Sequence, residues 1–237
     1  MLDIEKYIQD LSTQLSDCFG ERLLYLGLQG SYLRGEATEN SDIDIMVILE
    51  DMSAADLQSY RECLIRVGNF ELSCGFICGR EEMAHWNPLE VCQLLHTTKD
   101  YHGKLANYVP AYTLEDEKNY VRLSLGNLFH ELCHRYIHAE RERNISAFPY
   151  TCKSAFFILQ NMHYIDTGDF QSTKQGLMDA LTDPEDRQAL ALALRQKDGG
   201  EYDFDSAFST LFRWCQHALA RMGKSKRRNR TDERIGK

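Results

Sequence analysis

The chain has 237 residues and a formal charge of −9, with 43% hydrophobic, 11% aromatic and 27% charged residues. That balance excludes a disordered or fibrous chain, and the acidic excess argues against a general affinity for the phosphate backbone of nucleic acid. No stretch reaches the ~18–20 uninterrupted apolar residues of a membrane span, and the start MLDIEKYIQDLSTQL is acidic and amphipathic rather than leader-like, so a cytoplasmic address is expected.

Leu2, Ile4, Tyr7, Ile8, Leu11, Leu15 and Phe19 recur mostly three or four apart, which predicts a helix with one buried face, ended by Gly20. LLYLGL (23–28) then predicts a strand, GSYLRGEATENS a loop, IDIMVILE (43–50) a second strand, residues 53–66 a helix, and NFELSCGFI (69–77) a third strand. Between 80 and 110 the pattern predicts a short helix near Glu82, a break at Pro88 and a strand between Leu94 and Leu105. After Pro110 only helical patterns follow, over 114–143, 150–166, 171–181, 185–196 and 204–222. Pro149 and Pro184 are expected in first turns, Gly168 after a helix and Gly199–Gly200 before the last one. The fold class is therefore α+β: a small mixed-sheet domain over 1–110 and a helical bundle over 111–222.

Residues 223–237 carry seven basic side chains against two acidic ones, so the body of the chain, 1–222, bears −14. With Ile235 as its one apolar side chain, this basic tail is expected to be solvated and disordered. The eight cysteines stand singly, without CxxC spacing, and read as thiols of a reducing compartment. On a strand Cys74 and Cys78 would share one face about 13 Å apart, too far for a disulfide.

The chemistry concentrates in GSYLRGEATENSDIDIMVI, residues 30–48. Asp42 and Asp44 are two apart at the start of a strand and project to one face, while Ile43, Ile45, Val47 and Leu49 take the other. Two adjacent carboxylates repel, and the usual remedies are a raised pKa or a bound cation. Hard oxygen donors suit Mg²⁺ together with phosphate oxygens of a substrate. Upstream, Gly30 lets backbone N–H groups approach a phosphate, Ser31 adds a hydroxyl, and Arg34 is positioned to add a charged contact. Ser41, which directly precedes the Asp pair, is grouped with these nucleotide-contacting residues.

Gly-Ser, ten residues, then Asp-x-Asp within a strand resembles the signature of the DNA polymerase β nucleotidyltransferase superfamily, and GSYLRGEATENSDIDIMVI is particularly similar to its small bacterial members and antibiotic nucleotidyltransferases of aminoglycoside or lincosamide type. About 20 residues carry the motif. The resemblance implies an α/β catalytic domain joined to a helical one with the site in a cleft between them, two Mg²⁺ ions, an NTP substrate, expected to be ATP, and a third carboxylate on a neighbouring strand. Glu71 is the acidic residue available there, as metal ligand or as base to the attacking hydroxyl. A basic residue of the helical domain is implied over the triphosphate, with Lys153 as first candidate and Lys174 as second.

His130-Glu131-Leu132-Cys133-His134 formally matches HExxH, the zinc-peptidase helix. The extended form is missing, since Ile137 and Glu140 occupy the places of its Gly and third His, and His130, His134 and His138 are expected to serve packing or polar contacts. The Arg, four to six residues, His pattern of helical ribonuclease partners is also absent, because Arg135–His138, Arg213–His217 and Arg122–His130 miss that spacing. Phe148, Tyr150, Phe156 and Phe157 read as core rather than as a base-stacking platform. The expected function is Mg²⁺-dependent transfer of a nucleoside monophosphate from an NTP to a hydroxyl of a small acceptor such as an antibiotic, cationic in keeping with the −14 body. The alternatives are protein nucleotidylylation and a non-catalytic antitoxin or nucleotide-sensing module.

Overall fold

The computed structural model describes residues 2–195 and 203–232, with the side chains of 224–232 excepted. The chain divides into two compact units, Met1–Tyr112 and Thr113–Lys237.

In the first unit, helix α1 (Ile4–Phe19) starts at Asp3, whose carboxylate accepts from Lys6 N–H, and buries Tyr7, Ile8, Leu11, Leu15 and Phe19. Strand β1 (Leu23–Leu28), a single helical turn α2 (Gly30–Leu33), strand β2 (Ile43–Leu49), helix α3 (Ala54–Val67) and strand β3 (Ser73–Gly79) follow. Helices α4 (Arg80–Ala84) and α5 (Pro88–His96) lead to strand β4 (Lys99–His102). Pro88 opens α5 rather than breaking a helix, since the first helical position needs no N–H donor.

The sheet order is β3-β2-β1-β4, with β2 parallel to β3 and antiparallel to β1, and β1 antiparallel to β4. The sheet is thus mixed. Alternation along β2 sends Ile43, Ile45, Val47 and Leu49 into the core shared with α1 and α3, and Met46 and Ile48 into a second core with Tyr25, Cys78 and Met83. Gly75 allows the β2–β3 pairing to close: its φ is 104° and a side chain there would strike the Ile45 carbonyl.

The second unit is helical: α6 (Leu114–His138), α7 (Arg141–Thr167), α8 (Lys174–Ala180), α9 (Pro184–Arg195) and α10 (Phe204–Asp232). Val121, Leu125, Leu128 and Leu132 line one stripe of α6 and meet Cys152, Phe156 and Leu159 of α7 and Leu211, Trp214 and Cys215 of α10 in one core. Within it the buried Asp186 accepts from Trp214 Nε1 at 2.8 Å and from Arg221 at 2.9 Å.

The helix expected over 171–181 starts at Lys174, and three other helix limits differ from the sequence reading. The helix expected over 114–143 stops at His138, because Ala139 turns extended (ψ 147°) and Arg135 crosses to the Asn144 side chain and the Arg143 carbonyl at the corner. Pro149 lies inside α7 rather than at its start. An interior proline costs ~3 kcal/mol or more, and burial of Phe148, Cys152 and Phe156 around it offsets that cost. The backbone of α10 runs on to Asp232, into the segment expected to be disordered, where Lys and Arg are good helix formers. The rest of that expectation, on residues 233–237, and the Gly199–Gly200 punctuation lie outside the described residues.

Candidate active site

Asp42 is exposed and immediately precedes β2, and Asp44, partly buried, is its second residue. Both carboxylates extend the row of Met46 and Ile48, so they occupy the sheet face opposite α1 and α3. The end of β1 is tied to this point, because Gln29 N–H donates to the Asp44 carbonyl at 2.8 Å. The chain then turns at Gly30, with φ 71°. A Cβ on Gly30 would run into Asp44 Oδ2, so the missing side chain leaves the carboxylate its place. Gly30–Ser31 and Asp44 therefore face one another, and Glu36 N–H donating to the Ser31 carbonyl at 2.9 Å closes the turn behind them.

The other predicted residues separate. Ser41 Oγ accepts from Thr38 N–H at 2.8 Å and lies 3.2 Å from Thr38 Oγ1, so it shapes the turn that delivers Asp42 to the strand. Arg34 pairs with Glu36 at 3.2 Å, with both side chains largely buried, and its charge is countered inside the loop. Glu71 does not start β3. Asn69 takes a left-handed conformation and Phe70–Leu72 forms a 3-10 turn, which leaves Glu71 exposed at the sheet end where Asp42 enters. Lys153 is exposed on α7, and Lys174, at the start of α8, lies over the Phe156 ring at 5.8 Å. Phe148 and Phe156 are buried, Phe157 partly so, and Tyr150 is 78% exposed rather than core.

Cys74 is the neighbour that sequence reasoning missed. The parallel register sets it opposite Asp44, on the exposed edge of the same face. Partial desolvation and the carboxylates of Asp44 and Asp42 push the thiol up from its ordinary pKa. The available signal was parity, since Cys74, Phe76 and Cys78 alternate as Asp44, Met46 and Ile48 do. Further along this face Gln29 donates to Thr98 at 2.8 Å, and Tyr25 donates to Asp100 at 2.7 Å. No local pattern announces partners 69 and 75 residues apart.

Asp42 and Asp44 offer hard carboxylate oxygens on one face beside a turn shaped around one of them, and this donor set fits Mg²⁺ with its remaining positions left to water and phosphate. Among the described residues no group of three or more His, Cys, Asp or Glu comes together to hold a metal. The HExxH segment is divided by its helix. His130, His134 and His138 form an exposed row with ring centroids 5.9 and 4.9 Å apart, while Glu131 turns to α7 and accepts from Thr151 Oγ1 at 2.8 Å. Among the described residues no helix is long and apolar enough to cross a membrane.

Residues 8–82 match the family model of the nucleotidyltransferase domain. Over 67 residues the chain is 37% identical to the protein adenylyltransferase MntA of Thermococcus cleftensis, an alignment that covers 27% of this chain and 66% of that protein. The crystal structure of spectinomycin adenyltransferase AAD(9) from Enterococcus faecialis, with ATP and spectinomycin, superposes with a TM-score of 0.59 at 14% identity, covering 92% of this chain and 99% of that one. This likeness extends the shared fold to the helical unit.

Proposed function

Because its first unit carries a nucleotidyltransferase domain of the polymerase β type, we propose that the protein transfers a nucleoside monophosphate from an NTP, with ATP as the expected donor, to a hydroxyl of a small molecule. The observation that carries this reading is the placement of Asp42 and Asp44 on one face, against the Gly30–Ser31 turn.

A divalent cation held by Asp42 and Asp44 would supply neutralisation of the triphosphate charge there. The Gly30–Ser31 backbone and the Ser31 hydroxyl would orient phosphate oxygens, and Lys153 is the basic residue proposed from the helical unit. Glu71, exposed at the same end of the sheet as Asp42, would take the proton of the attacking hydroxyl, whose oxygen bonds to the α-phosphorus as the bond to the pyrophosphate oxygen breaks. The chain's contribution is placement and charge, and no protein nucleophile enters.

A small acceptor is favoured because the likeness to AAD(9), whose structure holds spectinomycin, covers nearly the whole chain. The second reading, transfer to a protein hydroxyl, is supported by the higher identity to MntA over the shorter span. The test supplies each NTP and Mg²⁺ to the purified protein, with small hydroxylated cations in one arm and whole-cell protein in the other, following pyrophosphate release and label transfer. Label on a small molecule supports the first reading, and label confined to protein bands supports the second.

A further inference from the structure

His130, His134 and His138, which the transfer reaction does not use, stand at successive i, i+4 positions of α6, where side chains lie over one another on one face of the helix. All three are exposed, and among the described residues no hydrogen bond or ion pair holds any of their rings, whereas His102 is tied to the Leu23 carbonyl and His217 to Glu185. Their ring nitrogens are open to a ligand from solution. Arg135, the basic side chain nearest to them in sequence, is engaged with the Asn144 side chain and the Arg143 carbonyl.

Spacing selects two of the three. Two imidazoles bound to one tetrahedral ion, each nitrogen about 2.0–2.1 Å from it, hold their ring centres about 5 Å apart. His134 and His138 are 4.9 Å apart, whereas His130 and His134 are 5.9 Å apart. Exposed side chains change rotamer freely, so closing the first pair on an ion needs no backbone movement. His138 is the last residue of α6, and the end of a helix favours positive charge. Imidazole nitrogen suits borderline ions such as Zn²⁺ and Ni²⁺, while Mg²⁺ prefers carboxylate oxygens like those of Asp42 and Asp44. We propose that His134 and His138 chelate one borderline divalent cation, with water completing its coordination, as a clamp over the last turn of α6 before the chain turns at Ala139. This second cation site does not depend on the transfer reading.

The experiment is calorimetric titration of the full chain, free of any affinity tag, with Ni²⁺ in the presence of excess Mg²⁺, before and after the exposed Cys18 and Cys74 are blocked with N-ethylmaleimide. The expected result is saturable binding of one Ni²⁺ per chain that survives both Mg²⁺ and alkylation. His134→Ala and His138→Ala should each weaken it at least tenfold, and His130→Ala and Asp44→Asn should change it less than threefold. A ligand that binds the folded chain alone raises its melting temperature, so Ni²⁺ should raise that of the wild type and not that of His134→Ala. Alanine is the best helix former, and these positions are exposed, so the variants keep α6. No saturable binding by the wild type, loss of binding on alkylation or in Asp44→Asn, or full binding by His134→Ala or His138→Ala overturns the proposal.

Discussion

Cys74 stands beside Asp44 across the parallel β2–β3 pair, on the exposed edge of the face that carries the carboxylate. An exposed, alkylatable group thus lies next to the proposed cation site. N-ethylmaleimide should remove most transfer activity, Mg²⁺ with nucleotide should protect against it, and Cys74→Ser should retain activity within a few-fold while becoming insensitive. Cys18, also exposed but on α1, is the internal control. Unchanged turnover after mass spectrometry shows Cys74 alkylated would place the chemistry elsewhere.

Asp42→Asn and Asp44→Asn each remove a proposed cation ligand and relieve carboxylate repulsion. Transfer should fall by at least ~100-fold, the scale seen when a group aimed at transition-state charge is removed, with melting temperature unchanged or raised. Turnover near wild type in either purified variant rejects the site.

For Glu71→Gln a general-base role predicts loss in kcat of about 10²–10⁴-fold with KM for the nucleotide little changed. A rise in nucleotide KM at constant kcat would instead make Glu71 a binding residue.

Gly30→Ala tests the turn. Left-handed backbone costs a non-glycine residue about 1–2 kcal/mol, and the new methyl would displace the Asp44 carboxylate. Lower stability in chemical denaturation together with loss of transfer is expected, whereas Gly35→Ala, at φ 67° but with open space around it, should cost stability with far less activity.

Acid sensitivity has a defined source in Arg22 and Asp56. Arg22 donates to both Asp56 oxygens at 3.1 and 2.8 Å, Ser53 N–H adds a third bond, and together they hold the carboxyl well below the usual range. A depressed folded pKa gives stability that is present above the unfolded value of ~4 and lost as pH falls through the folded one. Melting temperature should therefore drop below about pH 4, and Asp56→Asn should melt lower at pH 7 with a shallower acid dependence.

The α+β class, the strands and the Gly-Ser…Asp-x-Asp motif were legible in the sequence because period-2 and period-3.6 patterns and residue spacing within one segment are local properties. Alternation from Ile43 to Leu49 was enough to assign both faces of β2. Helix ends were less so, since Pro149 reads locally as a start and only burial of Phe148 and Phe156 carries α7 through it.

What tertiary structure alone decided is which side chains meet. Register between β2 and β3 put Cys74, and not Glu71, beside Asp44. Hydrogen bonding inside the loop turned Arg34 to Glu36, and the packing of α6 on α7 gave Glu131 its donor, Thr151. Each outcome depends on partners supplied by another segment or on the path of a folded loop, and residue spacing along one segment carries no information about either.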